Sequence, residues 1–419
     1  MNGPSDDGMA RAARPTTNRS GFLRRVLSLG ALAIVALTVL AACGPEVDKP
    51  YSTTSPASPA ADDIQSLYIL VFWLALIVFV GVQFAIVYTA LRFRRTRTAK
   101  KRPAQIHGNT RLEITWTVIP SVVLLVILIP TITTLYDHDA AAEEGDLVVD
   151  VYGKQWWWEV HYGEDYRGDD LNVVTANEIR VPAGKEVVFN LRSNNVIHSF
   201  WVPRLHGKLD VMPGHVNTLS ITAEEPGVYY GECAEFCGAQ HAWMRMKIIA
   251  MPEDEFYTWI NAMRAGNPGT TNQEAELPEG VTRAPESFTI CLACHQVNAM
   301  ENSAALQGIE APKIYGPDLT MLACRDTIAA GMLLNTPENL AIWLDDPGAV
   351  KPGNYMATQI KDDTLSEEQI TEIVDYLGTL KPASGCDFDV APGATPGASP
   401  VATPAASPAA SPAATPVAD

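Results

Sequence analysis

Two clusters of cysteine, histidine and methionine carry the chemistry of this sequence, and the first lies within residues 231–246. That segment reads GECAEFCGAQHAWMRM. Its soft side chains, together with one histidine upstream, are two thiols, two imidazoles and a thioether: Cys233, Cys237, His241, Met244 and His198. Thiolate and thioether sulfur select copper over magnesium or calcium. The pattern therefore predicts a copper site.

The residues alone leave two other interpretations of this segment open. Zinc readily binds two cysteines and two histidines, but a zinc site has no use for Met244. A disulfide between Cys233 and Cys237 is the ordinary structural alternative in an oxidising compartment. Such a disulfide would leave both histidines and the methionine unexplained.

The second cluster is Cys291-Leu292-Ala293-Cys294-His295, which matches the C-x-x-C-H motif for covalent attachment of c-type haem. The two thiols would bond to the haem vinyl groups, and His295 would supply one axial nitrogen. The other axial ligand of such a haem is a methionine or a histidine. Met356 is the favoured candidate, because its loop, KPGNYMATQ, resembles the loop that carries the axial methionine in class I cytochromes c.

Two cysteines remain after the copper and haem sites and one N-terminal cysteine are assigned. The chain has seven cysteines, and the remaining pair is Cys324 and Cys386. An even remainder in a protein outside the cell suggests a disulfide. The alternative is a pair of inert free thiols.

The elements that must carry these clusters begin with two apolar segments. Ser66–Leu91 and Ile114–Tyr136 contain 26 and 23 residues without a charge, and about 20 apolar residues cross the hydrocarbon core of a bilayer. The segment RFRRTRTAKKR between them is strongly basic. Because such loops stay in the cytoplasm, we expect residues 66–136 to form a transmembrane hairpin in the cell membrane, with all that follows on the outer face.

The N-terminus is typical of an export signal. Two arginines precede an uncharged run over residues 26–42, and small residues precede Cys43, as at the cleavage and acylation site of lipoproteins. This pattern predicts a lipoprotein-type signal peptide at 1–42, lipidation of Cys43 and an outer N-terminal segment at 43–65. The alternative is a third membrane helix in which the cysteine is incidental.

The exported part divides into two domains. Residues 137–260 contain short segments rich in β-branched and aromatic residues between turn signals, which predicts a β barrel or sandwich. Residues 261–283 are polar and predict a flexible linker that tethers the next domain. Residues 284–386 predict helices, one of them starting at a capping box on Ser366. The proline-rich residues 387–419 predict a disordered, extended tail.

The spacing of the copper ligands resembles that of the cytochrome c oxidase subunit II family. Its pattern is a distant histidine followed by C-x-E-x-C-x-x-x-H-x-x-M, which is filled here by His198 and by residues 233–244. Three further segments are similar to the family's second membrane helix, aromatic strand and following loop: EITWTVIP at 113–120, GKQWWWEVHY at 153–162 and KLDVMPG at 208–214.

Residues 284–386 are in turn similar to the cytochrome c domain that is fused to subunit II in caa-type haem-copper oxidases. GPDLT at 316–320 and the residues that follow it carry this likeness. Together the resemblances imply a multi-domain membrane protein. Its parts would be a two-helix transmembrane hairpin, an all-β cupredoxin barrel and an all-α class I cytochrome c domain.

The resemblance also implies how each residue would hold the metal. Cys233 and Cys237 would bridge the two coppers of a binuclear centre, CuA, and His198 and His241 would each cap one copper. Two weaker ligands complete the implied set: the Met244 thioether and the Glu235 backbone carbonyl.

Three further roles rest on the resemblance alone. The Glu235 carboxylate is expected to face a magnesium ion at the junction with subunit I. Trp156 matches the family's electron-entry tryptophan, with a plain core aromatic as the alternative. Glu113 matches a glutamate near the mouth of a proton channel, with an ordinary helix-end carboxylate as the alternative.

Charge and resemblance together narrow the function. A formal net charge of −18 argues against a nucleic-acid partner, because phosphates require cationic surfaces. The resemblance implies subunit II of a cytochrome c oxidase in the membrane lipid, with subunits I and III as partners. It would take electrons from an external cytochrome or cupredoxin through haem c to CuA and on to subunit I, which holds the oxygen site. There oxygen would be reduced to water with proton pumping.

Two alternatives from other classes remain open at this stage. One is the CuA-containing subunit of a nitric oxide reductase, which only the partner subunit distinguishes from an oxidase subunit. The other is a membrane-tethered electron carrier or copper-handling protein, although a tether needs only one helix.

Overall fold

The computed structural model describes the chain in nine stretches: residues 30, 51–94, 107–138, 146–164, 170–265, 284–297, 316–361, 363–382 and 384–386. Several sequence-based predictions lie outside these residues. They are the signal peptide apart from residue 30, the lipidated Cys43, most of the basic loop and of the linker, and the tail at 387–419.

Two long apolar helices follow the N-terminal segment, as predicted. Helix α1 spans Pro59–Arg92 and α2 spans Thr110–Asp137, and each is long and apolar enough to cross a membrane. Helix α1 begins before the span predicted from residue 66, because its first turn packs on the β domain instead of lipid. There Ser58 caps the helix by accepting from the Ala61 amide at 3.1 Å, and its hydroxyl donates to the Leu205 carbonyl.

Ten strands form the β domain: β1 Leu147–Lys154, β2 Trp157–Glu164, β3 Asp170–Ala176, β4 Glu178–Pro182, β5 Glu186–Ser193, β6 His198–Trp201, β7 Leu209–Val211, β8 Asn217–Thr222, β9 Gly227–Cys233 and β10 Arg245–Met251. They make two five-stranded sheets, with orders β3-β2-β1-β5-β8 and β4-β10-β9-β6-β7. Alternate side chains of the two sheets meet in one buried apolar core, which includes Trp158, Phe189 and Phe200.

Helix α3, Glu253–Ala265, closes the β domain. It extends past the domain boundary predicted at residue 260, since its apolar side packs on the sheets. Phe256 and Ile260 on that side are fully buried. The sequence predicts a linker from residue 261. Residues 261–265 belong instead to this helix.

The third domain is built from short elements around a second core. They are 3₁₀ turns at Glu286–Ala293 and Leu322–Cys324, a hairpin of β11 Thr327–Ile328 and β12 Leu333–Leu334, and helices α4 Pro337–Asp345, α5 Pro347–Val350, α6 Met356–Gln359 and α7 Glu367–Gly378. Helix α7 starts at the predicted capping box, with both the Ser366 and the Gln369 side chains bonded. The small hairpin is a departure from the all-helical expectation for this segment.

The two exported domains pack directly on each other through a group of three charges, of which two are buried and the third, Asp326, has a side chain that is 40% exposed. We call Glu178, Lys247 and Asp326 the interdomain ion cluster. Lys247 Nζ lies 2.6 Å from Asp326 Oδ2 and 3.2 Å from Glu178 Oε1, and the Glu178 and Lys247 side chains are 4% and 7% exposed. Glu178 also accepts from the Thr327 amide at 2.9 Å. Burial alone would lower the pKa of Lys247, but the two carboxylates outweigh it and raise that pKa.

Apolar and backbone contacts extend the same interface. Trp157, Ala176 and Ala330 form a small buried cluster across it. Elsewhere Lys351 Nζ donates to the Trp243 carbonyl at 3.3 Å. The linker predicted from the sequence implies a tethered domain, whereas the structure holds the domain in contact.

Candidate copper and haem sites

The loop between β9 and β10 folds back on itself and gathers the soft ligands of the first cluster. Cys233 ends β9, and its amide donates to the Met244 carbonyl at 3.0 Å. The next amide, of Ala234, donates to the Ser199 carbonyl at 2.9 Å, which ties the loop to β6 beside His198. A 3₁₀ turn at His241–Trp243 then returns the chain to β10.

The structure brings all five predicted soft ligands together. The Cys233 and Cys237 Sγ atoms lie 3.8 Å apart. His198 Nδ1 lies 3.8 Å from Cys233 Sγ, and His241 Nδ1 lies 3.7 Å from Cys237 Sγ. Met244 Sδ lies 3.8 Å from Cys237 Sγ. Each thiol thus has its own imidazole, and the two thiols face each other.

Neighbouring residues fix the direction of the His198 ring. Its Nε2 lies 3.1 Å from Asn195 Oδ1, which can only accept, so Nε2 carries the proton and the Nδ1 lone pair faces the sulfur. Gly153 lies against the same ring, where an added Cβ would come within 2.7 Å of His198 Cδ2. A glycine at 153 is therefore needed for the ring to reach the sulfur atoms.

The two cysteines are buried free thiols, so the structure does not contain the alternative disulfide. The hydrogen bond from the Cys237 thiol lowers the pKa of Cys233 to about 3. The hydrogen bond that Cys237 donates to Cys233 raises the pKa of Cys237. One thiolate is therefore already favoured in this pocket, and a cation would favour the second.

The chemistry of this donor set fits a copper pair. The cluster is buried and offers two sulfurs between two imidazole nitrogens, plus a thioether that zinc would not use. The Glu235 carbonyl oxygen lies 3.2 Å from Cys233 Sγ, so this backbone atom also faces the cluster.

The two glutamates with predicted roles, Glu235 and Glu113, lie in different parts of the structure. The Glu235 side chain is exposed on the copper loop, and its Oε1 accepts from the Phe236 amide at 3.1 Å. Phe236 beside it is 74% exposed. Glu113 lies in the first turn of α2, where its Oε1 accepts from the Asn109 amide at 3.0 Å. The structure therefore gives Glu113 a contact typical of helix capping.

The haem-binding motif ends the first 3₁₀ turn of the third domain. The His295 amide donates to the Cys291 carbonyl at 2.9 Å, and His295 Nδ1 donates to the Pro317 carbonyl at 2.8 Å. This bond leaves Nε2 as the free ligand atom. Gly316 packs on the ring, and an added Cβ there would come within 2.5 Å of His295 Cε1.

A cavity of about 240 Å³ lies beside this motif, and Cys291, Cys294, His295 and Met356 all line it. Most of its other walls are apolar, with Leu319, Leu344 and Leu377 among them. Burial lowers the pKa of His295, so the imidazole is neutral and able to bind a metal. The cavity, the motif and Met356 on the wall fit a covalently bound haem c.

The loop that carries Met356 is held by Asn354. Its Nδ2 donates to the Pro347 and Lys351 carbonyls at 2.7 and 2.6 Å, and its Oδ1 accepts from the Ala357 amide at 2.8 Å. Met356 opens helix α6 immediately after this anchor. The anchor therefore fixes where the methionine enters the cavity wall.

The structure joins Cys324 to Cys386 by a disulfide with an S–S distance of 2.08 Å. The bond connects the 3₁₀ turn at Leu322–Cys324 to the segment after α7. It lies in the third domain, where the sequence placed the pair.

Trp156 lies beside the copper loop. Its Nε1 donates to the Cys237 carbonyl at 2.9 Å. The structure adds residues that the sequence reasoning missed: the Trp156 ring stacks on Tyr355, with centroids 5.1 Å apart and planes at 18°. Tyr355 directly precedes Met356. This position beside a predicted haem ligand was the one feature of the sequence that could have pointed to Tyr355.

Comparisons with known proteins agree with this arrangement. Three family models match the chain: the cytochrome c oxidase subunit II transmembrane domain over 51–134, the periplasmic domain of the same subunit over 147–251 and cytochrome c over 281–381. The first match covers both long helices, and the second covers all ten strands of the β domain.

Individual proteins show the same likeness. Cytochrome c oxidase subunit 2 of Alkalihalophilus pseudofirmus is 36% identical, over 78% of this chain and 90% of that protein. The Bacillus subtilis protein of the same name is 34% identical, over 84% and 97%. The crystal structure of the periplasmic domain of subunit II from Bradyrhizobium japonicum matches 30% of this chain and 98% of its own, at 28% identity and a TM-score of 0.27.

The relatives cover the hairpin, the copper domain and the haem domain together, which no single-domain carrier would do. The chain belongs to the cytochrome c oxidase subunit II family, in the form that carries a fused cytochrome c domain, and it serves electron transfer in a membrane-bound terminal oxidase.

Proposed function

We propose that this chain is the electron-entry subunit of its oxidase. Its cytochrome c domain accepts electrons from an external donor, its cupredoxin domain receives them, and subunit I takes them up to reduce oxygen to water with proton pumping. The observation that carries the proposal is the cluster of two free thiols, two imidazoles and a thioether at spacings of 3.7–3.8 Å. The named relatives are oxidase subunits, and nothing favours the nitric oxide reductase or the free carrier.

When bound, the copper pair and the haem supply the one-electron redox chemistry, and the side chains hold each group in place. Cys233, Cys237, His198 and His241 would hold the copper pair. The weaker contacts come from Met244 and from the Glu235 carbonyl. Because the His198, Cys233, Cys237 and Met244 side chains are buried, most of the site is shielded from water and needs little rearrangement.

In the haem domain, Cys291 and Cys294 would hold the cofactor covalently, and His295 and Met356 would bind its metal. The Pro317 carbonyl orients His295 through Nδ1. The apolar walls of the cavity keep water from the metal, which is one of the means by which proteins set a haem potential.

Three further assignments extend the proposal toward the partners. The exposed Glu235 carboxylate faces a magnesium ion at the junction with subunit I, and Glu113 lies near the mouth of a proton channel. Subunit III completes the complex. The donor is a cytochrome or a cupredoxin with a basic face, because the net charge of this chain is −18 and opposite charges speed encounter.

The ligand assignment is tested in the purified complex with Cys237→Ala. Cys237 contacts the other thiol, His241 and Met244, so its loss should remove the mixed-valence copper resonance and lower the copper content. Met251→Leu is the matched control, because Met251 is equally buried on β10 and a Met-to-Leu exchange usually costs less than about 1.5 kcal/mol. Full copper content in Cys237→Ala would contradict the assignment.

A further inference from the structure

Tyr355 is an aromatic side chain at the interface between the haem and copper domains. Its ring lies nearly parallel to that of Trp156, with centroids 5.1 Å apart and planes at 18°. Its hydroxyl donates to Gln155 Oε1 at 3.3 Å. The ring comes from one domain and both partners come from the other, so the contact exists only when the two domains are docked.

We propose that Tyr355 is a positioning residue for electron transfer, one that sets the haem domain against Trp156 and so completes an unbroken chain of contacts from Met356 to Cys237. The inference rests on the proposed function, in which Met356 binds the haem and Cys237 binds copper. It adds a residue and a geometric role that the ligand sets do not contain.

The copper side of this chain is rigid. Trp156 Nε1 and Gln155 Nε2 both donate to the same Cys237 carbonyl, at 2.9 and 2.8 Å. Gly238 has a φ of +118°, and an added Cβ there would lie 3.0 Å from Trp156 Cζ2. The missing side chain at 238 lets the indole lie flat against the backbone of the copper loop.

The haem side is fixed by the loop that carries Met356. The Asn354 side chain bonds the carbonyls of Pro347 and Lys351 on one side of Tyr355 and the Ala357 amide on the other. The Tyr355 carbonyl in turn accepts from the Thr358 amide at 3.0 Å. The ring is therefore held in a fixed relation to the methionine that follows it.

Other contacts hold the two domains together without Tyr355. The interdomain ion cluster lies at β4, β10 and the start of β11, and Gln240 Nε2 donates to the Pro352 carbonyl. Tyr355 is also 49% exposed, so little burial is lost when its ring is replaced. Removal of the ring should therefore leave the domains docked and change only how closely the Met356 loop meets Trp156.

The test uses the complete complex with Tyr355→Leu and Tyr355→Phe. An electron is delivered to the haem by a light pulse, and its arrival in the copper domain is followed by absorption. We expect the transfer rate in Tyr355→Leu to fall roughly two- to tenfold. This is the factor by which loss of one aromatic pair lowers the ratio of molecules in which the Met356 loop contacts Trp156 to molecules in which it does not. Tyr355→Phe keeps the ring and should stay near the wild-type rate.

Two further readouts separate positioning from a general structural role. The haem absorption spectrum and the copper resonance should be unchanged in Tyr355→Leu. The double variant Tyr355→Leu with Trp156→Leu should transfer electrons little more slowly than Trp156→Leu alone, because both substitutions break the same contact. Tyr152→Leu, which removes an aromatic contact with His161 inside the copper domain, is the control.

An unchanged rate in Tyr355→Leu overturns the proposal. A lower rate together with an altered haem spectrum also overturns it, since Tyr355 would then merely support the Met356 loop. Met356→Ala tests the ligand assignment separately: if its haem spectrum is that of the wild type, the proposed function fails at that residue whatever Tyr355 does.

Discussion

The copper domain and the haem domain hold their ligands by different means. In the copper domain, hydrogen bonds between β6, β9 and the return loop set His198 Nδ1 3.8 Å from Cys233 Sγ, and the ligands are in place as the chain folds. In the haem domain, the ligand residues line a cavity of about 240 Å³ whose other walls include Trp156 and Gln240 of the copper domain. The copper site is therefore shaped by the backbone, whereas the haem site depends on what fills it.

Because of this difference, we expect the stability of the two domains to respond differently to loss of their cofactors. A sheet sandwich with a core of its own does not need the metal for its stability. A domain with little regular structure and a large apolar gap needs the cofactor as part of its core. The Cys324–Cys386 disulfide supports the same weaker domain, because crosslinks contribute most where a core is small.

The largest effect is expected when haem attachment is prevented by Cys291→Ser with Cys294→Ser. The haem would fill part of the core of this small domain, and loss of one large buried group typically costs about 3–5 kcal/mol, comparable with the whole stability of a small domain. The haem domain should then become sensitive to limited proteolysis, while the copper resonance persists. Equal protease resistance with and without haem would remove the distinction between the domains.

The next largest effect is expected at the contact between the domains. Lys247→Met leaves the buried Glu178 carboxylate without its cation, and breaking a buried ion pair typically costs about 3–5 kcal/mol. The haem domain should separate from the copper domain while each keeps its spectrum, and the intramolecular transfer rate should fall. The exposed Lys361→Met serves as the control. If Lys247→Met transfers electrons at the wild-type rate, the ion cluster does not hold the domains together.

The smallest effect is a pH dependence at Lys351, which lies at the same interface. Burial, with Arg245 nearby, lowers its pKa from 10.5 to about 7. Between these values the unfolded chain binds a proton that the folded chain does not, so stability should rise with pH from about 7 to 10.5. The slope is at most about 1.4 kcal/mol per pH unit.

Denaturant unfolding at several pH values measures this slope. Lys351→Met should be more stable than the wild type near pH 7 and should lose the rise toward pH 10. Lys361→Met should keep the rise, because that lysine is exposed. A wild-type slope in Lys351→Met would assign the pH dependence to other groups.

Much of the architecture could be predicted from the sequence for identifiable physical reasons. Uncharged apolar runs predicted both long helices, and short segments rich in β-branched and aromatic residues predicted a β barrel or sandwich. Ser366 with Gln369 predicted the start of α7. The soft ligands at 233–244 could be found because their chemistry depends on residue type and spacing. The start of α1 at Pro59 was missed, because its first turn is stabilised by the β domain and not by lipid.

The interface could not be predicted, because its residues are ordinary in sequence. In the sequence, Glu178 and Lys247 are ordinary charged residues far apart. The pairing of β4 with β10 brings them together, and Asp326 joins them from the other domain. Tyr355 stands in a loop, and its partner Trp156 comes about two hundred residues earlier in the chain. A polar linker alone indicated a tethered domain, and only the fold shows that the domain is docked.

Electrons pass between two docked domains of one chain in the proposed function, and the rate of that step is the decisive measurement. In the purified complex, the haem is reduced by a light pulse, and electron arrival at the copper domain is followed at several salt concentrations, viscosities and protein concentrations. The docked arrangement predicts a first-order rate that none of the three changes, because the buried Glu178 and Lys247, which bind Thr327 and Asp326 of the haem domain, are weakly screened. A rate that falls as viscosity or salt increases would show that the domain swings on its linker to reach the copper, which would contradict the account.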